Sequence, residues 1–320
     1  MMDVEKALAF FDVDGPYLLT THVNADGDGV GAVLGLAHWL DQTGKKYHIV
    51  LNDEKPDPKF GFLPGFENLT PVGVFESTKQ FLRAVVLDTP TMSEKRIGDV
   101  AKLISNQTRT LIIDHHAGES EDGDVRFIDS DASAASELVY HLVRASGEKI
   151  SADMATCLYA GIAFDTKLFK YSHPERALQV GADLASLGAD PQQIAEDLFS
   201  HQTLETVETL GFALSHLTLH AEGQISTLYV DHATYTKGGD LDPIVDHAMS
   251  IDGVEVALLF KEELPGRQRV SLRSRGRVDV NAIANKFDGG GHQRASGCTI
   301  EASLDDARDQ LLAEVVKHLS

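Results

Sequence analysis

Cysteine, tryptophan and positive charge are scarce in this chain of 320 residues. It holds 2 cysteines, 1 tryptophan and 28 basic residues against 49 acidic ones, a formal net charge of −21. Cys157 and Cys298 belong to no CxxC pair, which excludes a thiolate zinc site and fits a reducing compartment. The shortage of Lys and Arg excludes long nucleic acid as a partner, because such binding relies on many contacts to phosphates. No apolar run reaches the roughly 18 residues of a membrane span, so no membrane partner is expected. The start, Met1-Met2-Asp3-Val4-Glu5-Lys6, lacks the basic and then apolar order of a secretory signal, and the expected location is cytoplasmic. Most of the acidity serves solubility. A small anionic substrate can still bind where metal ions and a local group of bases reverse the field.

The length accommodates two domains with separate cores. In the first half, strand-like segments at 17–22, 47–51, 83–88 and 110–114 alternate with helix-like ones at 29–40, 134–145 and 154–162. That order predicts βαβ units and a mainly parallel sheet flanked by helices, with ligands beyond the carboxyl ends of the strands. A helical region runs from about residue 176 to residue 220. Strand-like segments at 225–230, 254–260 and 269–272 follow, then a helix at 280–287. The last helix, from about residue 304, spaces Leu311, Leu312, Val315, Val316 and Leu319 along one face as core packing. The fold expected is α/β, with domains at 1–190 and 223–320, a helical connector at 191–222 and an active site in the cleft between the domains.

Four motifs place acids or histidines at the ends of apolar runs. The first is Thr21-His22-Val23-Asn24-Ala25-Asp26-Gly27-Asp28-Gly29-Val30-Gly31, in which Asp26 and Asp28 sit in a turn whose glycines permit unusual backbone angles and close approach. A helix cap at Asp28 is the alternative. The others are Asp88 after Val85-Val86-Leu87, the triplet Asp114-His115-His116 after Leu111-Ile112-Ile113, and Asp165 after Gly161-Ile162-Ala163-Phe164. Carboxylates and imidazoles without thiolates suit Mn²⁺ or Mg²⁺ better than zinc or copper. Enough ligands are present for two ions sharing one carboxylate, an arrangement that activates water and clamps phosphoryl oxygens.

The second half carries Ser271-Leu272-Arg273-Ser274-Arg275-Gly276-Arg277. Period two would set Arg273, Arg275 and Arg277 on one face as a phosphate fork; a charged edge strand is the alternative. Close behind comes Asp288-Gly289-Gly290-Gly291-His292. Consecutive glycines make sense where backbone N–H groups approach an anion, with a flexible linker as the competing reading.

These motifs, in this order, resemble the DHH phosphoesterase family over nearly the whole chain: a catalytic domain followed by a DHH-associated domain with an RSR strand and a GGGH loop. The compact size is most similar to its oligoribonucleases (nano-RNases) and pAp phosphatases. The resemblance implies two divalent cations, Mn²⁺ above Mg²⁺ or Co²⁺. His22 and Asp26 would hold one and Asp28 the other; Asp88 would bridge them, and His115 and Asp165 complete the second site. It implies that Asp114 orients a histidine and that His116 meets the phosphate, while Arg273, Arg275, Gly290, Gly291 and His292 hold a terminal phosphate or adjoining nucleotide. Short RNA or DNA, or pAp, would be the substrate, with cyclic or linear dinucleotides as the alternative and a non-catalytic nucleotide-binding regulator as the reading from another class. A homodimer is also implied. The chain departs from the family pattern at Ala25, Ala32, Phe164, Lys167 and Asp288, none of them a proposed ligand.

Overall fold

The computed structural model describes every residue except 1–3, 14, 77–80, 117–120, 171–172, 201–202, 239–240, 242–243 and 320. The chain divides into two compact units, Met1–His201 and Gln202–Ser320.

In order, the first unit contains α1 (Val4–Phe10), β1 (Tyr17–Thr20), α2 (Gly27–Gln42), β2 (Tyr47–Leu51), β3 (Leu69–Pro71), β4 (Arg83–Leu87) and α3 (Glu94–Ile97). It continues with β5 (Arg109–Asp114), β6 (Val125–Ile128), α4 (Ala135–Ser146), α5 (Ala152–Asp165), α6 (Pro174–Ser186) and α7 (Pro191–Phe199). All six strands are parallel, in the order β3-β2-β1-β4-β5-β6. Their near-continuous apolar sequences follow from cover on both faces. Leu19, Ile49, Val85, Leu111 and Ile113 enter the large core with α2, α4 and α5, whereas Leu18, Val50, Ala84, Val86 and Ile112 pack on the opposite face. The order reverses between β1 and β4, and at such a switch point the loops leaving the two strands diverge and open a crevice.

The glycines of the first motif act differently from the sequence reading. Gly27, Gly29 and Gly31 all lie inside α2, and the residue with left-handed backbone is Asn24, at φ 56°. Their contribution is close approach: a Cβ on Gly31 would come within 2.6 Å of the Cys157 carbonyl oxygen on α5, and one on Gly161 would strike Ser136 Oγ at 2.0 Å. This seam brings the start of α2 beside the end of α5.

The second unit contains α8 (Leu204–Ser215), β7 (Thr218–His220), β8 (Ile225–Val230), α9 (His232–Tyr235), α10 (Ile244–Met249), β9 (Val256–Leu264) and β10 (Arg267–Ser274). It ends with α11 (Val280–Asn285), β11 (Gly290–His292), β12 (Ala295–Ile300) and α12 (Leu304–Leu319). Its sheet runs β11-β12-β10-β9-β8-β7, antiparallel except for the β8–β9 pair. Helices α11 and α12 cover one face, and α8 and α10 pack on the other.

Three expectations change. The span 191–222 is divided: Ile194 and Leu198 of α7 enter the first core, and Ala213 of α8 enters a core of the second unit. Helix ends at Ser215, and 218–220 pairs with β8 as a strand. On α12 the buried stripe is Leu311, Val315 and Leu319, whereas Val316 is exposed, because a spacing of four tracks one helix face and the adjacent positions rotate away.

The glycine seam yields a test. Gly31→Ala must displace backbone rather than a flexible side chain, so it should lower unfolding stability by about 1–3 kcal/mol, as measured by urea denaturation.

Candidate metal centre and anion pocket

Asp88 follows β4 directly, with its N–H bonded to the Ile113 carbonyl at 2.9 Å and φ at 58°. This unusual conformation, which Asp tolerates better than most residues, turns the side chain into the switch-point crevice. His22 Nε2 lies 3.4 Å from Asp88 Oδ2 and 3.7 Å from Asp26 Oδ1. His115 Nε2 lies 3.4 Å from Asp88 Oδ1, 3.7 Å from Asp165 Oδ2 and 3.8 Å from Asp28 Oδ2. Two donor sets result, His22–Asp26–Asp88 and Asp88–His115–His116, each with its ligand atoms within 4.8 Å of one another. Asp88 belongs to both.

The three histidines, Asp26 and Asp28 are each aimed by bonds made elsewhere. His22 Nδ1 donates to the Val23 carbonyl at 2.9 Å and His115 Nδ1 to the Ala132 carbonyl at 3.4 Å, which turns both Nε2 atoms inward. Asp114 Oδ1 accepts from His116 Nδ1 at 2.7 Å. Asp26 caps α2 through the Asp28 and Gly29 N–H groups. Asp28 caps α4, a helix more than a hundred residues away in the chain: its Oδ2 accepts from Ala135 N–H at 2.5 Å and its Oδ1 from Ser136 N–H at 2.9 Å. α4 needs this, because Ala134 at its own N-cap position offers no side-chain acceptor. Each Asp28 oxygen keeps a second lone pair. The loop before Asp26 is fixed by Asp53, whose carboxylate accepts the Asn24 and Ala25 N–H groups at 2.8 and 2.7 Å.

The electrostatics are those of a cation site. Burial raises the Asp28 carboxyl well above its ordinary range, and the neighbouring Asp88 pushes it further. Asp165, the last residue of α5, is pushed up to about 6 by burial, with His115 opposing and Asp88 reinforcing the shift. A carboxylate at a helix C-terminus also faces the negative end of the dipole. Burial works against ionisation of Asp88, but the close approach of the His115 and His22 imidazoles holds it far below the usual carboxylate range. Burial would lower His22, yet Asp26 and Asp88 bring it to about 11, and His115 is raised likewise, chiefly by Asp88 against its burial. Among the described residues, none donates a hydrogen bond to buried Asp88 Oδ1. An orphaned carboxylate oxygen between two histidines, in a donor set of oxygen and imidazole nitrogen, fits hard or borderline divalent cations.

In the second unit, a pocket of about 520 Å³ is lined by Lys261, Arg269, Ser271, Arg273, Asp288 and Gly289 among others. Arg269, Ser271 and Arg273 alternate along β10 on the face that Lys261 of β9 shares, and Lys261 is buried with its Nζ 2.9 Å from Ser271 Oγ. Lys261 and Arg269 were missed in the sequence; the signal was a lysine ending the apolar run Val256–Phe260. Arg275 does not share this pocket. β10 ends at Ser274, so the period-two argument stops there, and the Arg275 guanidinium instead donates to the carbonyls of Val254, Met249 and Ile251. Arg277 likewise bonds the Leu319 carbonyl. Gly290, Gly291 and His292 form edge strand β11, next to the pocket and outside its lining. A Cβ on Gly289 or Gly291 would collide with β12, whereas at Gly290 the nearest atom would be 3.8 Å away. Gly290 is thus the one glycine of the three that internal packing does not require.

A parallel sheet whose switch point gathers acids and histidines defines a metal-dependent α/β protein, and comparison places it more narrowly. Residues 17–162 match the model of the DHH family, N-terminal domain, and residues 223–319 match the DHHA1 domain. The chain belongs to the DHH phosphoesterase family. It is 30% identical over 313 residues to "Bifunctional oligoribonuclease and PAP phosphatase NrnA" of Thermus thermophilus, covering 96% of this chain and 91% of that protein. The protein of the same name from Bacillus subtilis is 29% identical over 306 residues, 93% of each chain. In fold it is similar to an exopolyphosphatase-related protein from Bacteroides fragilis, with a TM-score of 0.88 at 24% identity over 98% of this chain and 95% of that one.

Two measurements bear on these sites. Because the surrounding carboxylates raise His22 and His115, a divalent cation must compete with protons for their ring nitrogens: binding at pH 7 should release protons, and affinity should fall as pH falls. Calorimetry in two buffers of different ionisation enthalpy reads this directly, and binding without proton release would contradict it. Separately, Arg273→Ala should weaken anion binding with little change in unfolding, whereas Arg275→Ala should lower stability by about 1–3 kcal/mol through three carbonyls left without a donor.

Proposed function

We propose that this protein hydrolyses phosphate esters of short nucleotides, oligoribonucleotides of a few residues and pAp, using two divalent cations at the switch point of the first unit. The observation that carries the reading is Asp88, buried and shared between two donor sets, with one oxygen that receives no hydrogen bond among the described residues. His22 and Asp26 would hold one cation, Asp28, His115 and Asp165 the other, and Asp88 both. Bound there, such ions supply Lewis acidity, which acidifies a water and neutralises phosphoryl oxygens; Mn²⁺ suits the mixed carboxylate–imidazole set best, with Mg²⁺ and Co²⁺ as substitutes.

The remaining chemistry falls to side chains. His116, with Nδ1 held by Asp114, would present its other nitrogen to the phosphoryl group and stabilise charge developing on it. Arg273, joined by Lys261 and Arg269, would anchor a terminal phosphate, with Gly290, Gly291 and His292 beside it at an adjoining nucleotide. Anchoring one end of the substrate favours short chains. The net charge of −21 argues in the same direction, against long strands. A cytoplasmic homodimer is the form in which we expect it to work.

The test is turnover with Mn²⁺ on pAp, the dinucleotide pApA, short RNA oligomers, cyclic di-AMP, pyrophosphate and long single strands. Rates should fall steeply with chain length, and folded Asp88→Ala should lose about 10³-fold or more. Preference for long single strands would overturn the substrate assignment, preference for cyclic di-AMP would move it to the cyclic dinucleotides, and nucleotide binding without turnover would make the protein a regulator.

A further inference from the structure

The loop between β6 and α4, residues 129–134, makes no appearance among the sequence motifs, yet half of the metal centre hangs on it. Its Ala132 carbonyl receives His115 Nδ1, and the helix it launches offers Ala135 and Ser136 N–H to Asp28. Its first residue, Asp129, donates its N–H to the Asp114 carbonyl at 3.2 Å, on the residue that holds His116. By contrast, the His22–Asp26 half rests on Asp53 and on the Arg96 carbonyl, which takes the Val23 N–H at 2.7 Å.

Both ends of the loop are tied to one side chain of α6. Arg176 Nη1 lies 3.0 Å from Asp129 Oδ2, at the start of the loop, and Asp129 Oδ1 braces the turn by accepting the Asp131 N–H at 3.0 Å. Arg176 Nη2 lies 2.6 Å from Glu137 Oε1. Glu137 is fully buried, and its Oε2 accepts both the N–H and the hydroxyl of Ser133, at 2.8 and 2.6 Å, which fixes the end of the loop. His141 Nε2, 3.5 Å from Oε1, is the other ionisable group facing Glu137. A buried carboxylate needs such partners to stay charged, and the planar guanidinium fork suits two carboxylates at once.

We infer that Arg176 is a positioning residue for the metal centre: by joining Asp129 to Glu137 it sets the loop that orients His115 and Asp28, and so governs one of the two cation positions and not the other. The inference rests on the two-cation reading above. Groups that orient ligands from behind typically contribute 10–100-fold in metal affinity.

The experiment counts Mn²⁺ ions bound by full-length protein, from the paramagnetic resonance signal of free Mn²⁺ during titration. Wild type should bind two equivalents. Arg176→Met, with a wild-type circular dichroism spectrum, should keep one equivalent at wild-type affinity and bind the second about tenfold more weakly. Arg176→Lys, able to reach one carboxylate at a time, should recover part of the loss. Tyr140→Phe is the control: it removes a 2.7 Å bond between α4 and Asp183 of α6 without touching the loop, and should leave both equivalents intact. Should Arg176→Met fail to fold, Asp129→Asn carries the test, with a smaller loss confined to the same equivalent. Two equivalents bound by Arg176→Met as tightly as by wild type would sink the inference alone, and so would equal weakening of both. A wild type that binds fewer than two ions would sink the two-cation reading and this inference with it.

Discussion

The mutual repulsion of buried carboxylates is the constraint on which the rest of the first unit turns. Asp28 and Asp88 are almost wholly excluded from solvent, with Asp26 and Asp165 close by. Anions so gathered require positive charge of comparable magnitude within a few ångströms, since the interior screens them poorly. His22 and His115 are the groups placed to provide it, and the same attraction raises their basicity while driving Asp88 in the opposite direction. The centre is a set of charges gathered around one carboxylate, and divalent cations bound there would take over from protons the task of offsetting the acids.

Holding the charges together is a matter of backbone. β1 and β4 release their chains on opposite sides of the switch point, so residues following each strand face one another. The glycine seam lets α2 and α5 cross closely enough for Asp28 at the head of one to meet Asp165 at the tail of the other through His115. Helix N-termini then fix two of the acids, Asp26 on its own helix and Asp28 on α4. Three unrelated devices converge on positions only a few ångströms apart, and each can be weakened without the others.

Much of this was legible in the sequence because it is local. An apolar run ending in an acid announces a strand emerging at a polar site, and His22, Asp26, Asp28, Asp88, His115, His116 and Asp165 all come together in space. What was not legible depends on partners far away in the chain. That Asp28 caps α4 cannot be read from its neighbours, and a local helix cap was the only capping alternative the sequence offered. The expectation that Arg275 shares a face with Arg273 held only while the strand continued, and where β10 stops, carbonyls from another segment claim the guanidinium. Lys261 and Arg176 carried no motif at all, and their importance comes from what the fold sets beside them.

The double duty of Asp28 bears on how such a protein can change over generations. An acid that only bound metal could be replaced in one step, leaving a stable scaffold open to another use. Here the same substitution also strips the first turn of α4 of its acceptor, at about 0.5–2 kcal/mol for an ordinary cap, and more where the freed N–H groups are buried. Loss of the chemistry and loss of the fold are thereby coupled. A descendant that abandons metal chemistry must first supply α4 with another cap, so silent drift away from the ancestral activity meets a barrier at this position that it would not meet at Asp165, which caps no helix N-terminus among the described residues.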